Sequence, residues 1–503
     1  MNHFIRRPNL RTTKAHSAGA FECEARQGRK IVPELRIIRI SGDECALDAR
    51  LFESFRKRLH GATLLPGDEG YDMARRVWNG MVDKRPALIV QCADTNDVVA
   101  CVNLAREQEL QFSVRGGGHN YAGKAVCEGG LVIDLSSMKW ICVDPQRQTV
   151  RAQAGLRLGE FDRETQKFSL ATTLGINTDT GISGLTLGGG YGWLAGRYGL
   201  ACDNLISADV VTADGNSLHC DSEQNPDLFW GLRGAGANFG VVTHLEYRLH
   251  PVDRVLGGMV VHPLTKETLT FFDEFSHTAP DELTTTGVVG AGPDGKATFA
   301  TAICYIGSFD KGEELVKPLK RLPGSIADSI SARPYVEMQT LFDQSWPSGR
   351  HYYSKAHNIR RIGEGTIETV LRFSANLPTP HTNIAFQQLH GAASRIRATE
   401  TAFPHRYDHF DLLVHPATDN SADCVTMIGW ARECWMELKP FAERAVYVNA
   451  LEDAAEEGEE RVREAYGVNY DRLVALKNRY DPANLFRLNS NIKPHKAVGT
   501  VRG

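Results

Sequence analysis

The segment Val114-Arg-Gly-Gly-Gly-His-Asn-Tyr-Ala-Gly123 is the stretch that decides the fold of this chain. It follows directly on the predicted strand Leu110 to Val114. Upstream, Pro86 to Gln91 predicts a buried strand, and Asp94 to Asp97 supplies caps for a helix with apolar residues at helical spacing. Strand, helix, strand and glycine turn, in this order, indicate an α/β nucleotide-binding unit.

Three consecutive glycines give this segment unusual backbone freedom. Glycine adopts left-handed and mirror-region dihedral angles without steric cost, so its bare N–H groups can approach an anionic ligand such as a pyrophosphate. The next residue, His119, could present a nucleophilic imidazole to that ligand. Two alternatives stay open from the residues alone: His119 as a hydrogen-bonded residue after a tight turn, and Arg115 as a structural ion-pair partner.

Two further glycine-rich segments follow. Thr178 to Gly192 holds six glycines from position 181 onward, more than one turn requires, which indicates backbone wrapped against an extended ligand. It lacks the Gly-Lys-Ser/Thr of a P-loop and the spacing of a Rossmann fingerprint. Asn225 to Val242 predicts a helix that ends in a glycine-rich turn and feeds the strand Val241 to Tyr247.

Length and composition indicate an ordinary folded protein of two or three domains. The chain has 503 residues, of which 42% are hydrophobic and 23% charged. A net charge of −4 and short apolar runs argue against nucleic-acid binding and against a membrane span. Eleven scattered cysteines without a Cys-x-x-Cys pair predict reduced thiols and a cytoplasmic location.

Changes in composition and residue pattern divide the chain into four parts. Residues 1–60 are interpreted as an N-terminal extension, for which a disordered tail, an overextended start site and a transit peptide all stay open. Residues 65–250 carry the glycine-rich segments, and residues 251–455 alternate strand-like runs with amphipathic helices. In the last part, 456–503, the charge run Glu456 to Arg463 predicts a solvated helix face.

As a set, in this order and spacing, the three glycine-rich segments resemble those of the p-cresol methylhydroxylase/vanillyl-alcohol-oxidase flavoproteins, and within them the berberine-bridge-enzyme-like oxidases. The resemblance covers residues 65–250 and a C-terminal return to the FAD-binding domain, Tyr480 to Pro494. It implies an α+β fold with a two-part FAD-binding domain of the PCMH type. It also implies a second α+β domain, for the substrate, in which helices cover an antiparallel sheet.

The resemblance further implies an FAD joined covalently to His119 through the flavin 8α-methyl carbon. Many members add a second link from a cysteine, and that place holds Asn177 here, which implies a singly linked flavin of the 6-hydroxynicotine oxidase-like type. The residues implied to lie along the cofactor are Arg115, Gly116, Gly117, Gly118, His119, Asn120, Gly123, Thr180, Gly181, Gly184, Gly188, Gly189, Gly192, Val242, Asn489 and Asn491.

The activity implied is that of an FAD-linked oxidase. Enzymes of this family pass a hydride from a small organic molecule to the flavin, and the reduced flavin usually returns the electrons to O2 as hydrogen peroxide. The expected partners are a small alcohol, amine or activated C–H compound and O2, with no nucleic acid and no membrane. Two alternatives stay open: a dehydrogenase that reacts slowly with O2, and a flavin-binding protein without catalysis.

Three tyrosines are candidate catalytic residues, because Tyr121, Tyr353 and Tyr447 match or border family positions near the substrate. A phenol that acts as a base at neutral pH needs a lowered pKa, which neighbouring cations could provide. The interpretation of each as a core tyrosine stays open. The acid that relatives often carry after Phe403-Pro-His-Arg406 would fall at Val414 or His415, so no acid transfers from the family.

No metal site is predicted. His405 and His409 are four residues apart, but Pro404 and the strand-like sequence that follows oppose a helix that would present them on one face, and His415 adds no carboxylate pattern. A hydrolase is equally unsupported, because the chain has no G-x-S-x-G elbow.

Overall fold

The computed structural model describes residues 35–452 and 454–495. In its first part the strands are β1 (Leu35–Ile38), β2 (Glu44–Leu47), β3 (Ala62–Leu64), β4 (Leu88–Gln91), β5 (Phe112–Arg115), β6 (Leu131–Asp134), β7 (Ile141–Asp144), β8 (Thr149–Gln153), β9 (Leu170–Ala171), β10 (Leu205–Val211), β11 (Ser217–Cys220), β12 (Val241–Arg248) and β13 (His250–Pro251). The helices there are α1 (Ala49–Arg58), α2 (Tyr71–Ala74), α3 (Thr95–Glu107), α4 (Leu158–Thr165), α5 (Ile182–Leu187), α6 (Ala195–Tyr198) and α7 (Pro226–Leu232).

The second part begins at β14. Its strands are β14 (Arg254–Pro263), β15 (Leu283–Ala291), β16 (Ala297–Tyr305), β17 (Ala327–Asp328), β18 (Ser331–Pro334), β19 (His351–Tyr352), β20 (Lys355–Ile359), β21 (Asn383–Leu389), β22 (His409–His415) and β23 (Ala417–Thr418). Its helices are α8 (Lys266–His277), α9 (Phe309–Arg321), α10 (Tyr335–Gln339), α11 (Glu364–Ser374), α12 (Ala392–Arg395), α13 (Cys424–Leu438), α14 (Ala454–Tyr466) and α15 (Tyr470–Tyr480). Short 3-10 helices lie at Gln166–Phe168, Ala201–Asp203, Ser421–Asp423, Lys439–Phe441, Val448–Ala450 and Gly467–Asn469.

Two larger sheets form the body of the first part, beside the two-stranded pairs β1-β2 and β9-β13. One has the order β3-β4-β6-β5, with β4, β6 and β5 parallel, and the other is antiparallel with the order β11-β10-β12-β8-β7. Helix α3 connects β4 to β5, and the carboxylate of Asp94 caps it by accepting hydrogen bonds from the backbone N–H groups of Asn96 and Asp97. The predicted strand, helix, strand unit is therefore confirmed.

An eight-stranded antiparallel sheet dominates the second part. Its order is β17-β14-β16-β15-β21-β22-β20, with β18 beside β14. Helices α8, α11 and α13 cover one face, where Phe272, Phe386, Phe410 and Met427 belong to one buried apolar cluster. The opposite face is turned toward the first part. The predicted fold class, a two-part FAD-binding domain with a helix-covered antiparallel sheet, is confirmed.

Two expectations about the ends of the chain need correction. Residues 35–60 belong to no extension, because β1, β2 and α1 bury Ile37, Phe52 and Phe55 in the core around β4 and β6, while residues 1–34 lie outside the described residues. The charge run at 456–463 is only partly solvated, because the side chain of Glu457 is 3% exposed and pairs with the buried Lys355. In the described ranges, no helix combines the length and the apolar character that crossing a membrane requires.

Candidate active site

A cavity lies between the two parts, and backbone forms its first wall. Gly117, after β5, approaches the turn before α5 so closely that a Cβ on it would lie 2.3 Å from the Gly181 nitrogen. The reciprocal Cβ on Gly181 would lie 2.4 Å from the Gly117 nitrogen. Two glycine-rich segments far apart in sequence thus need glycine at both positions to meet.

The C-terminal segment holds the rest of this wall in place. Lys477 is fully buried, and its ammonium donates hydrogen bonds to the carbonyl oxygens of Asn238 and Phe486, both at 2.8 Å, and pairs with Asp481 at 2.7 Å. The backbone N–H of Ile492 donates to the side-chain oxygen of Asn238 at 3.0 Å. The third glycine-rich segment and the predicted C-terminal return are therefore joined through one buried network.

Most residues implied to lie along the cofactor line the cavity. They are Gly116, Gly117, Gly118, His119, Asn120, Thr180, Gly181, Gly184, Val242 and Asn489. Those that do not line it are Arg115, Gly123, Gly188, Gly189, Gly192 and Asn491.

The glycines behind the wall are explained by contacts within the protein. A Cβ on Gly192 would lie 2.5 Å from the Leu174 carbonyl oxygen, and one on Gly188 would lie 2.2 Å from the Asn449 side-chain oxygen. Arg115 donates to the Ala74 carbonyl oxygen and lies 3.9 Å from a carboxylate oxygen of Asp134. These contacts fit the alternative in which Arg115 is a structural ion-pair partner.

The imidazole of His119 lies on this wall, with 17% of its side chain exposed. Trp78 stacks on it, with ring centroids 4.6 Å apart and planes at 23°. Its Nε2 lies 3.6 Å from a carboxylate oxygen of Asp179. Burial lowers the pKa of His119 although Asp179 opposes that effect, so the imidazole is neutral at pH 7. A neutral imidazole has the lone pair that a nucleophile requires.

Side chains of β21 and β22 form the opposite wall. Three cross-strand pairs face the cavity one after another: Gln387 with Asp411, Ala385 with Leu413, and Asn383 with His415. The residues between them, such as Leu412 and Val414, point to the other face and belong to the buried cluster under α13. Strand alternation alone therefore decides which side chains reach the cavity.

Asp411 is the unusual residue of this wall. It is 1% exposed, and neither carboxylate oxygen has a hydrogen-bond partner among the described residues. Burial raises its pKa to about 7. A buried carboxyl group whose pKa lies near the ambient pH is suited to accept and release a proton. The register of the sequence puts the family position of that acid at Val414 or His415, but the carboxyl group that lines the cavity belongs to Asp411, and Val414 faces away from the cavity.

The candidate tyrosines separate into two groups. Tyr121 and Tyr447 line the cavity, and burial raises the pKa of both, with Asp411 adding to the effect. The expectation that cations lower these pKa values is therefore wrong. Tyr353 lies outside the cavity lining, and its hydroxyl donates to Glu456 and accepts from Arg432. Its pKa is also raised, mainly by burial.

The hydroxyls of two cavity tyrosines have fixed partners. Tyr447 accepts hydrogen bonds from the Gly190 backbone N–H at 3.1 Å and from the Asn449 amide at 2.8 Å. Tyr191, which is not among the predicted catalytic tyrosines, has its hydroxyl 3.0 Å from Nε2 of His409. Because Nδ1 of His409 donates to the Tyr407 carbonyl oxygen at 2.6 Å, Nε2 is the acceptor for the Tyr191 hydroxyl.

Aromatic rings close one end of the cavity. Trp78 and Trp346 line it, and Tyr121 meets His415 edge to face at 5.1 Å. Burial lowers the pKa of His415 to about 4, so this imidazole is neutral. Neither tryptophan belongs to a glycine-rich segment. Asp411 had one signal in the sequence, the lone acid in the apolar run Phe410 to Val414.

The histidines considered for metal binding do not come together. His405 bonds to the Ala465 carbonyl oxygen, His409 to Tyr191, and His415 faces the cavity. Within the described ranges, one group with metal-ligand spacing is His60, Asp94 and Asp97. The carboxylate of Asp97 there accepts the backbone N–H groups of residues 60, 61 and 93, each at 2.8 Å. Asp94 caps α3, so this group has a structural role.

Comparisons with known proteins agree with the geometry. A family model described as FAD binding domain matches residues 86–221, and one described as Berberine and berberine like matches residues 446–493. An FAD-linked oxidoreductase of Dictyostelium discoideum is 32% identical over 461 residues, which cover 90% of this chain and 99% of the relative. (R)-6-hydroxynicotine oxidase of Paenarthrobacter nicotinovorans is 31% identical and covers 87% of this chain and 97% of its own.

A solved structure supports the same assignment. The crystal structure of 6-hydroxy-D-nicotine oxidase from Arthrobacter nicotinovorans superposes with a TM-score of 0.79 at 30% identity, covering 87% of this chain and 98% of that one. Fold and cavity thus define an FAD-dependent oxidoreductase. Within that class, the chain belongs to the FAD-linked, berberine-bridge-enzyme-like family.

The residues of the cavity fit FAD. A Cβ on Gly184 would meet nothing within 4 Å, so this backbone is open to a ligand. The side-chain oxygen of Asn489 is buried without a hydrogen-bond partner among the described residues, although its amide bonds to the Ala237 carbonyl oxygen at 2.8 Å. Open glycine backbone and an available acceptor are what a flavin with its pyrophosphate and ribityl hydroxyls requires.

Proposed function

We propose that the protein is an oxidase in which His119 carries FAD covalently, Asp411 is the catalytic base and O2 accepts the electrons. The observation that carries this proposal is the placement of His119 and Asp411 on opposite walls of one cavity. When bound there, FAD supplies the hydride acceptor and the reaction with O2 that yields hydrogen peroxide. The substrate class is a small alcohol, amine or activated C–H compound.

Asp411 removes the proton that must leave as the substrate carbon loses its hydride. Ionised Asp411 accepts the O–H or N–H proton of the substrate, and a pKa of about 7 keeps a large fraction ionised at neutral pH. Asp411 also argues against a flavin-binding protein without catalysis, because it supplies an acid to the cavity although none transfers at the family position after Phe403 to Arg406. The oxidase names of the relatives favour O2 as the acceptor.

Tyr121 and Tyr447 hold the substrate as neutral hydrogen-bonding groups. Their raised pKa values keep both phenols protonated at neutral pH. The Tyr447 oxygen already accepts two N–H groups, so its own proton is available for an acceptor atom of the substrate. They orient the substrate while Asp411 takes the proton.

A single flavin link and a reducing location are parts of the same proposal. Asn177 lines the cavity, and none of the described residues that line it is a cysteine. The ten described cysteines are free thiols, which supports a cytoplasmic location.

Reoxidation by O2 tests the oxidase assignment without knowledge of the substrate. The purified yellow protein is reduced by light under anaerobic conditions and mixed with air-saturated buffer in a stopped-flow instrument. We expect reoxidation within seconds with one hydrogen peroxide formed for each flavin. Reoxidation over many minutes would assign the dehydrogenase alternative, and a colourless protein would contradict both enzyme assignments.

A further inference from the structure

The imidazole of His119 is held from two sides by residues outside its own segment. The Trp78 ring stacks on its face at 4.6 Å, and the Asp179 carboxylate lies 3.6 Å from Nε2. Nε2 is buried and has no hydrogen-bond partner among the described residues. A carboxylate at this distance forms an ion pair when the imidazole becomes a cation, and a small shift makes it a hydrogen-bond acceptor for Nε2–H.

Asp179 is itself fixed in position. Arg157 pairs with its second carboxylate oxygen, and the Asn177 side-chain oxygen accepts its backbone N–H at 3.0 Å. The neighbouring Thr178 is held by Asp343, which accepts its backbone N–H at 2.9 Å and its hydroxyl at 2.5 Å. The turn is therefore rigid, and one carboxylate oxygen of Asp179 is left to face the imidazole.

This arrangement decides which nitrogen of His119 can react. A carboxylate beside Nε2 favours the tautomer with the proton on Nε2, which leaves the lone pair on Nδ1. We propose that Asp179 is the positioning residue that makes Nδ1 of His119 the nucleophile in covalent flavin attachment. The inference rests on the proposed attachment of FAD at His119 and adds the residue that drives it.

The chemistry of attachment gives Asp179 a second task. One C–H bond of the flavin 8α-methyl group breaks, an Nδ1–C bond forms, and the imidazole carries positive charge until it loses the Nε2 proton. The two electrons and two protons released reduce the flavin, which O2 reoxidises with formation of hydrogen peroxide. Asp179 stabilises the developing imidazolium until its Nε2 proton leaves, as a carboxylate beside a reacting histidine does in other enzymes.

The test compares attachment in four proteins: wild type, Asp179→Asn, Asp179→Glu and Asp343→Asn. Each is produced in riboflavin-starved cells and then incubated with FAD. Covalent flavin is read as fluorescence of the band on a denaturing gel and as flavin that stays with acid-precipitated protein. Total bound flavin is read from the absorption spectrum before denaturation. Asp343→Asn is the control for loss of a nearby negative charge, since the amide oxygen can still accept the Thr178 N–H and the Asp179 carboxylate stays in place.

We expect Asp179→Asn to bind FAD but to attach it at least about tenfold more slowly, so that acid releases most of the flavin. Asp179→Glu should recover part of the rate, and Asp343→Asn should attach FAD nearly as fast as wild type. Attachment at the wild-type rate in Asp179→Asn would overturn the proposal. Equal slowing in Asp179→Asn and Asp343→Asn, without recovery in Asp179→Glu, would overturn it in favour of a structural role.

The proposed function fails in a different way. If wild type itself releases all its flavin in acid, or if His119→Ala keeps covalent flavin, attachment at His119 is wrong and Asp179 has no attachment to assist. The two failures are therefore distinguishable on the same gel.

Discussion

The two walls of the cavity are built by different means. On the flavin side, short continuous segments supply backbone, and Gly117 and Gly181 let two of them touch. On the substrate side, alternate residues of β21 and β22 supply side chains, and the apolar pair Ala385 and Leu413 separates two polar cross-strand pairs, Gln387 with Asp411 and Asn383 with His415. The flavin wall is suited to hold one cofactor across a family, while the substrate wall can change residue by residue without altering the sheet.

The largest effect is expected on the substrate wall, from Asp411→Asn. Loss of the base should slow flavin reduction by substrate roughly 10²–10⁴-fold while covalent flavin stays attached. The measurement is anaerobic flavin reduction by the best substrate from a panel of small alcohols and amines. The exposed Asp408, three residues earlier, is the matched control, and Asp408→Asn should behave as wild type. A loss below threefold in Asp411→Asn would remove Asp411 from the mechanism.

The next effect concerns the support of the flavin wall. Lys477→Met leaves the Asp481 carboxylate buried without its cation and should lower the free energy of unfolding by about 3–5 kcal/mol. Lys493→Met, which breaks an exposed pair with Glu459, should leave the free energy of unfolding nearly unchanged. Denaturant unfolding measures both, and equal losses would contradict the role of the buried network.

A smaller effect is expected on the pH dependence of the free energy of unfolding, which the buried Asp411 changes. The pKa of Asp411 is about 7 in the folded protein and near 4 when unfolded, so the unfolded state binds fewer protons between these values. Its ionisation therefore destabilises the fold as pH rises from 4 to 7. Asp411→Asn should raise the free energy of unfolding by roughly 2–4 kcal/mol at pH 8 and leave it unchanged near pH 4. Thermal unfolding of both proteins at the two pH values measures this gain. An equal gain at pH 4 would show that the ionisation of Asp411 is not its cause.

The smallest effect separates cofactor contact from helix propensity. Gly184→Ala in α5 should raise the stability of the apoprotein by about 0.5–1 kcal/mol and lower its flavin content, because the new Cβ enters the cavity. Gly429→Ala in α13 also meets nothing within 4 Å but lies away from the cavity. It should give the same stability gain with full flavin content. Equal flavin content in both variants would place Gly184 away from the cofactor.

The sequence predicts the flavin wall well because its signals are local. Consecutive glycines around His119 and Gly181 reveal the segments even though their contact is long-range. It predicts the substrate wall poorly because strand parity and register decide which side chains face inward, and a shift of a few residues exchanges Asp411 for Val414. The direction of the tyrosine pKa shifts could not be predicted either. Burial and the neighbouring Asp411 raise the pKa values of Tyr121 and Tyr447, and both effects depend on the tertiary structure.

Peptide mapping of the flavin tests the central claim most directly. Trypsin cleavage after Arg115 and Lys124 isolates the peptide 116–124, which contains His119 as its one histidine. We predict that this peptide carries the mass of FAD in the wild-type digest, that fragmentation places the mass on His119, and that His119→Ala loses it. Flavin on another peptide, or an unmodified peptide 116–124 in protein that is fully yellow, would contradict the account.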